Sequence, residues 1–189
     1  MRNRKYFSSE GEAMEIIIKA ATVADIDAVA QLYDAVNEHL AEIGNPTGWI
    51  KNSYPVRTDA ETALSENTLY VAFIGEKLVG AVILNQKPAE EYFGEAWEID
   101  CEWSETLIVH TLAVHPDFLR QGVAEALLRY AEKLARELGC RAIRLDSYRE
   151  NTPAFALYEK LGYRHVGMVD LNLQHFDLDW FRMYELEIK

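Results

Sequence analysis

The strongest constraint on the fold is a strand–turn–helix–strand run in the second half of the chain. Thr106 to Val114 is the longest uninterrupted strand candidate in the sequence, and His115-Pro116-Asp117 ends it. Gly122 then opens a helix on which Val123, Leu127, Ala131, Leu134 and Leu138 line one face, with Gly139 as its C-terminal cap. Arg141 to Ser147 is again a strand. A strand that returns to a sheet through a helix must bury that helix against the sheet, so the pattern belongs to an α/β domain.

The flanking segments extend the same architecture. Ile16-Ile17-Ile18, within Glu15 to Lys19, is a β-branched run that reads as a first strand. Thr22-Val23-Ala24-Asp25 is a capping-box signature, and Ile26, Val29, Tyr33, Val36 and Leu40 follow at helical spacing until Gly44-Asn45-Pro46 stops the helix. Thr58-Asp59-Ala60-Glu61 repeats the capping box before a short helix. Thr68 to Ile74 and Leu78 to Asn85 read as a hairpin around Gly75-Glu76-Lys77. Residues 86–104 break the rhythm as one acidic loop with Tyr92, Phe93, Trp97 and Trp103 interleaved. Thr152-Pro153 starts a last helix with Gly162 past its end, and strands near Tyr163–Val169 and Phe181–Ile188 close the chain. The expected fold is one mixed, mostly antiparallel central sheet flanked by helices over residues 15–189, preceded by a polar N-terminal tail over 1–14.

Bulk properties exclude several function classes. The chain has 189 residues and a net charge of −12, which argues against nucleic acid, whose phosphates need a basic face. Its apolar runs fall short of a membrane span, and Met1 to Met14 has no apolar stretch of the signal-peptide kind. Cys101 and Cys140 share no motif, and His165 and His175 have no partner at metal-ligand spacing, so the expectation is a cytoplasmic protein with free thiols and no metal. His39 reads as a solvated side chain, and Asp146 and Tyr148 read as structural residues at a strand end.

Acidity does not exclude a small anionic ligand. A helix leaves its first N–H groups unpaired at the positive end of its dipole, and Gly122 and Ala124 let a phosphate approach that backbone. Arg120 adds a charged donor. The same turn also serves strand–helix junctions that bind nothing. Downstream, Ala154 and Tyr158 lie four apart and share a helix face. Ala154 leaves room for a ligand against the helix, and Tyr158 reads either as a phenol presented to it or as a core tyrosine.

Together, Leu112-Ala113-Val114-His115-Pro116, the turn Arg120-Gln121-Gly122-Val123-Ala124, and Asn151…Ala154…Tyr158-Glu159-Lys160-Leu161-Gly162-Tyr163 resemble the GNAT superfamily of acyl-CoA-dependent N-acyltransferases. The resemblance implies acetyl-CoA as co-substrate and acetyl transfer to a primary amine by direct attack in a ternary complex. Leu112, Ala113 and Val114 would offer main-chain groups to the pantetheine arm and the reacting carbonyl. The backbone of Arg120, Gln121, Gly122, Val123 and Ala124 would hold the pyrophosphate. Asn151 and Ala154 would meet the pantetheine region, and Tyr158 would protonate the departing thiolate. Leu119 departs from the family, which usually has Gln or Arg there; a phosphate held mainly by backbone loses only a side-chain contact.

The general base is open between residues. His110 falls on the strand face of Leu112 and Val114 by alternation and has a suitable pKa, but it also reads as a histidine packed locally on the sheet. Glu105 and Glu98 compete with it. For the acceptor, Trp49, Tyr54 and the loop from Tyr92 to Trp103 are the candidates, and carboxylates among aromatics suit a cationic small-molecule or peptide amine. A homodimer through the C-terminal strands is a family-level expectation. Two other readings remain: a non-catalytic acyl-CoA sensor, and a nucleotide-dependent enzyme, which the absence of a three-glycine pattern disfavours.

Overall fold

The computed structural model describes residues 6–7 and 13–189. Strands β1 (Tyr6–Phe7) and β2 (Ala13–Met14) pair antiparallel, and the rest of the expected tail lies outside the described residues. The order continues β3 (Ile16–Ala20), α1 (Ile26–Ile43), α2 (Arg57–Ser65), β4 (Leu69–Ile74), β5 (Lys77–Asn85), β6 (Thr106–Val114), α3 (Val123–Glu137), β7 (Ala142–Tyr148), α4 (Thr152–Lys160), β8 (Arg164–Val169) and β9 (Phe181–Glu187). Seven strands are hydrogen-bonded in the order β3-β4-β5-β6-β7-β9-β8. The β6–β7 pairing is parallel, as the helical crossover between them requires, whereas β3–β4, β4–β5, β7–β9 and β8–β9 are antiparallel. The sheet is therefore the mixed, mostly antiparallel one expected. No described helix is long and apolar enough to cross a membrane.

The chain packs as two compact units of interleaved segments. The first contains the described residues up to His39, Ile50–Ile83 and Thr111–Tyr130. Within it α1 buries Ile26, Val29, Tyr33 and Val36, on the face its spacing defined, together with Leu32. Ahead of α1, the Asp25 carboxylate accepts from both the N–H and the hydroxyl of Thr22, each at 2.8 Å. The second capping signature is displaced: α2 begins at Arg57, and Asp59 reaches back 2.7 Å to the Val56 N–H, so Thr58 lies inside the helix and is not its cap. Asp59 makes the sequence pattern, but extended Val56 is where the backbone turns.

The second unit contains Leu40–Trp49, Leu84–His110 and Ala131–Lys189. Its centre is the β7–β9 ladder, where Arg144 stands directly opposite Glu185. Tyr92, Ile108, Tyr148, Val169, Phe181 and Met183 form a buried cluster on which Trp97 and Trp103 also pack. Leu138, expected on the buried face of α3, is 52% exposed, because α3 ends at Glu137 and Gly139 turns the chain left-handed just beyond it.

Candidate active site

In the first unit, the donor-side residues sit on the end of β6 and the start of α3. The parallel ladder of β6 with β7 covers Thr106–Ile108 against Ala142–Arg144, so Leu112 and Val114 lie beyond its register. Just before them Thr111 has φ +47, which is rare for a β-branched residue and costly unless its surroundings impose it. The Thr111 hydroxyl is hydrogen-bonded to that of Tyr54, a partner that holds the residue in place. Leu112 and Val114 are half-buried and Ala113 is buried.

The turn that follows is braced before it reaches the helix. The Asp117 N–H donates to His115 Nδ1 at 3.2 Å, Gln121 Nε2 donates to the Asp117 carbonyl at 2.9 Å, and Lys77 Nζ lies 3.6 Å from Asp117. Arg120 (φ +61) and Gly122 (φ +81) are both left-handed. Positive φ at two positions this close bends the backbone sharply just ahead of α3, and the Gln121 N–H donates back to the Phe118 carbonyl at 3.4 Å. The first intrahelical bond of this end runs from Ala126 N–H to the Gly122 carbonyl, 2.9 Å, so the N–H groups of Val123, Ala124 and Glu125 precede the ladder. Gln121, Gly122 and Ala124 are half-buried, while Arg120 and Leu119 are exposed. Leu119, where the resemblance leads one to expect Gln or Arg, is 45% exposed.

Gly80 on β5 sets how close α3 comes to the sheet. A Cβ there would meet Val123 Cγ1 at 2.8 Å, the Ala113 carbonyl at 3.1 Å and Leu127 Cδ1 at 3.2 Å. Gly80→Ala is therefore expected to push the first turn of α3 outward, with a loss of about 1–3 kcal/mol of stability from overpacking and roughly tenfold weaker acetyl-CoA binding. Thermal unfolding and calorimetric titration check both, and a variant unchanged in either measurement would contradict the role given to Gly80.

The second unit holds the other group of site residues. Tyr158 on α4 is buried, with its ring packed on Tyr184 and Tyr163 at centroid distances of 5.3 and 5.9 Å. Burial pushes its phenol well above the ordinary tyrosine range, and the nearby Asp146 carboxylate adds to that, while a hydrogen bond from Ser147 works the other way. Tyr158 is therefore protonated at any working pH. Asn151 caps the start of α4 and donates from Nδ2 to Ser147 Oγ at 3.0 Å. Ala154 is half-buried on the same helix. Asp146 accepts the Tyr92 hydroxyl, and burial raises its pKa. Asp146, read from the sequence as structural, and Ser147 both influence the Tyr158 phenol from a different element, which nothing in their spacing marks.

His110 ends the β6 segment of this unit. Its Nε2 lies 3.2 Å from Asn85 Oδ1, and it also hydrogen-bonds the backbone of Lys87. Burial depresses its pKa below the ordinary value of 6.5, so the ring is neutral at pH 7. The left-handed residue that follows interrupts the regular alternation used to align His110 with Leu112 and Val114, although all three are half-buried. The carboxylate competitors are engaged at the surface: Glu98 with Arg164 at 2.7 Å and Glu105 with Arg141 at 3.7 Å.

Two of the loop aromatics, Trp97 and Trp103, stack on a cation inside the protein. The Arg144 guanidinium lies 4.7 Å from the Trp97 ring centre and 4.6 Å from that of Trp103, and Tyr92 is 1% exposed. The cation these rings take is the protein's own. Of the acceptor candidates, Tyr54 remains on the surface, and near it the buried hydroxyl of Tyr33 and Oδ1 of Asn37 make no hydrogen bond among the described residues. Among the described residues no group of His, Cys, Asp and Glu could hold a metal ion.

The chain is similar to known proteins. The model of the Acetyltransferase (GNAT) family matches residues 31–163, a span that includes β6, the Arg120–Ala124 turn, Asn151 and Tyr158. The chain belongs to that family, whose members are acetyl-CoA-dependent acyltransferases. Among solved structures, a GNAT-family acetyltransferase from Streptococcus agalactiae superposes with a TM-score of 0.77 at 21% identity, covering 98% of this chain and 99% of that one. The ribosomal-protein-S18-alanine N-acetyltransferase of Escherichia coli gives 0.65 at 17% identity, with 92% and 94% covered. The structure of yncA from Salmonella typhimurium with its cofactor acetyl-CoA gives 0.66 at 18%, also with 92% and 94% covered. These likenesses establish the shared fold.

Proposed function

We propose that the chain is an N-acetyltransferase that moves the acetyl group of acetyl-CoA to a primary amine of a small molecule or peptide, in the cytoplasm and as one domain over residues 15–189. The observation that carries this reading is the pair of left-handed residues, Arg120 and Gly122, set immediately ahead of the first turn of α3 in a chain of this family. That backbone suits the pyrophosphate of coenzyme A, with Arg120 adding charge. Leu112, Ala113 and Val114 offer main-chain groups outside the β6–β7 ladder to the pantetheine arm. Asn151, Ala154 and Tyr158 serve its reacting end.

The chemistry is aminolysis of a thioester. The amine nitrogen attacks the acetyl carbon, a C–N bond forms and the C–S bond breaks. A backbone N–H near Leu112 or Ala113 stabilises the oxyanion of the tetrahedral intermediate. The amine gives up its proton to a base or through water, and the leaving sulfur takes the Tyr158 proton, which solvent replaces. The acceptor is an amine drawn by the protein's net charge of −12, with Tyr54 and Thr111 as neutral polar contacts, and the aromatic loop is no longer needed to recognise it.

His110 is the assigned base, and its environment makes a distinctive demand. Because its pKa is depressed, it stays unprotonated below pH 6.5, so the acid limb of kcat/KM falls below that value. The same shift makes the folded state bind fewer protons than the unfolded one, so stability is retained above the unfolded pKa and lost as pH falls through the folded one. His110→Ala is expected to remove the acid limb and lower kcat roughly a hundredfold with acetyl-CoA affinity kept. An unchanged rate would remove His110 from the mechanism and leave a water-mediated carboxylate as base. For the donor site itself, a thermal-shift series with acetyl-CoA, longer acyl-CoAs and NAD is decisive: stabilisation by CoA esters and none by NAD is expected, and the reverse pattern would overturn the reading.

A further inference from the structure

Beyond its ladder with β6, β7 carries a carboxylate that no cation of the described residues balances. The parallel pairing stops at Ile108 opposite Arg144, whereas β7 runs on to Tyr148 and from Leu145 pairs with β9 alone. Two residues past that last pair stand His110 on β6 and Asp146 on β7. Strand alternation puts both on the face of Ile108 and Arg144, so they flank the place where the pairing of the two strands ends. Two contacts fix that face for Asp146. Its Oδ2 accepts the Tyr92 hydroxyl, and Tyr92 shares a buried cluster with Ile108 and with Met183, the β9 residue paired with Asp146.

The neighbouring cations are engaged elsewhere. Arg144 meets Glu185 at 2.8 Å and donates to the Ile99 carbonyl at 2.8 Å. Arg182 is paired with Ser147, hence on the other face of the sheet, where its guanidinium lies 4.3 Å from the Phe155 ring centre. Arg149 holds Asp179 at 2.7 Å. Asp146 is left with the neutral Tyr92 hydroxyl, and a half-buried carboxylate in that state is costly without a counter-charge. It also borders the groups assigned to the reacting end of the donor. Its neighbour Ser147 accepts the Asn151 amide at 3.0 Å, and Leu145 is paired with Tyr184, on which the Tyr158 ring packs at 5.3 Å.

Resting on the acetyl-transfer reading above, we propose that Asp146 is the acceptor-binding carboxylate: it holds the ammonium of an alkyl amine at the end of the β6–β7 ladder, across from His110, which takes the proton. The class of acceptor follows from the charge. An alkyl amine with a pKa of about 10 arrives protonated at pH 7, and a carboxylate shielded from water attracts it more strongly than an exposed one. One ammonium N–H bond breaks as an N–H bond forms on the His110 ring, and the freed lone pair attacks the acetyl carbon. The Asp146 charge then favours the imidazolium left behind. Tyr92, 1% exposed, is fixed in the core and anchors Oδ2.

The test uses the full chain carrying D146N, which keeps the size of the side chain and an oxygen for the Tyr92 hydroxyl. With the panel amine that wild type acetylates fastest, D146N should raise the amine KM by about tenfold or more, with the acetyl-CoA KM within about twofold. Its melting temperature should be no lower than wild type, because the substitution removes a charge that nothing in the protein balances. A merely structural carboxylate gives the opposite pattern, a lower melting temperature with an unchanged amine KM, and either half of that pattern would overturn the proposal. Independently of turnover, the carboxyl carbon resonance that D146N removes from the NMR spectrum should move when the panel amines are added to the protein saturated with coenzyme A. An unmoved resonance would also overturn it. Thiol release that D146N leaves unchanged sinks Asp146 and spares the acetyl-transfer reading. A resonance that moves in a protein releasing no thiol sinks that reading and spares the amine site, so the two failures are distinguishable.

Discussion

Phenylalanine in place of Tyr158 is expected to lower kcat by roughly a hundredfold or more while acetyl-CoA binds with nearly its original affinity. The ring of Tyr158 is buried against Tyr163 and Tyr184, and phenylalanine keeps those contacts. What disappears is the hydroxyl. Its pKa lies far above neutrality through burial and the nearby Asp146, so the group is a proton donor throughout the working range and never a base. A thiolate leaving without an acid must depart as the free anion into a site that already holds a carboxylate, which raises the barrier of that step alone. The effect therefore belongs in kcat, with KM and melting temperature little moved. Steady-state kinetics at saturating amine check it. A kcat within twofold of wild type would mean that solvent, or the donor itself, supplies the proton.

The second large effect is on stability. Arg144→Met is expected to cost about 3–5 kcal/mol, because it strands the Glu185 carboxylate in the interior without its cation. The two side chains are 3% and 0% exposed and meet at 2.8 Å. Glu185 also accepts the N–H groups of Glu98 and Ile99 at 3.1 and 2.9 Å, and Arg144 donates to the Ile99 carbonyl at 2.8 Å. One ion pair thus ties the acidic loop to β7 and β9 and gives Trp97 and Trp103 the cation on which they stack. In a chain of this size the loss corresponds to a melting temperature lower by roughly 6–20 °C. Faster proteolytic cleavage within residues 86–104 should accompany it. The double replacement Arg144→Met with Glu185→Leu should recover much of the loss, since no charge is then left unpaired. A single variant that melts like wild type would contradict the account of this loop.

Arg144 also shows where sequence reading stops. Period and turn chemistry are local, so the α1 face, the β4–β5 hairpin and the β6–α3–β7 crossover were legible from apolar spacing and glycine placement. The turn ahead of α3 was legible for the same reason: Gly122 marks a left-handed backbone position just before the helix begins at Val123. Arg144 sits in a strand with nothing to indicate that it is buried. Only the β7–β9 register, joining residues forty-one positions apart, reveals that Glu185 faces it. The loop carboxylates and aromatics then read as a surface for a foreign cation when the cation is internal. Thr111 was hidden differently. A β-branched residue in mid-strand argues for regular extended backbone, and its left-handed turn is imposed by surroundings such as Tyr54, which lies far away in sequence. Ser147 and Asp146 were obscure because only the folded chain brings them near the Tyr158 phenol. Long-range partners, and not local propensities, decide all of these positions.

The central claim is tested most directly by thiol release from acetyl-CoA, followed with a chromogenic thiol reagent, in the presence and absence of a pooled panel of small-molecule and peptide amines. Amine-dependent release is expected, one free coenzyme A for each acetylated amine, abolished or nearly so in the Tyr158→Phe protein. Saturable binding of acetyl-CoA with no release above the amine-free rate over the whole panel would contradict it, and would make the protein a sensor of the donor and not its user.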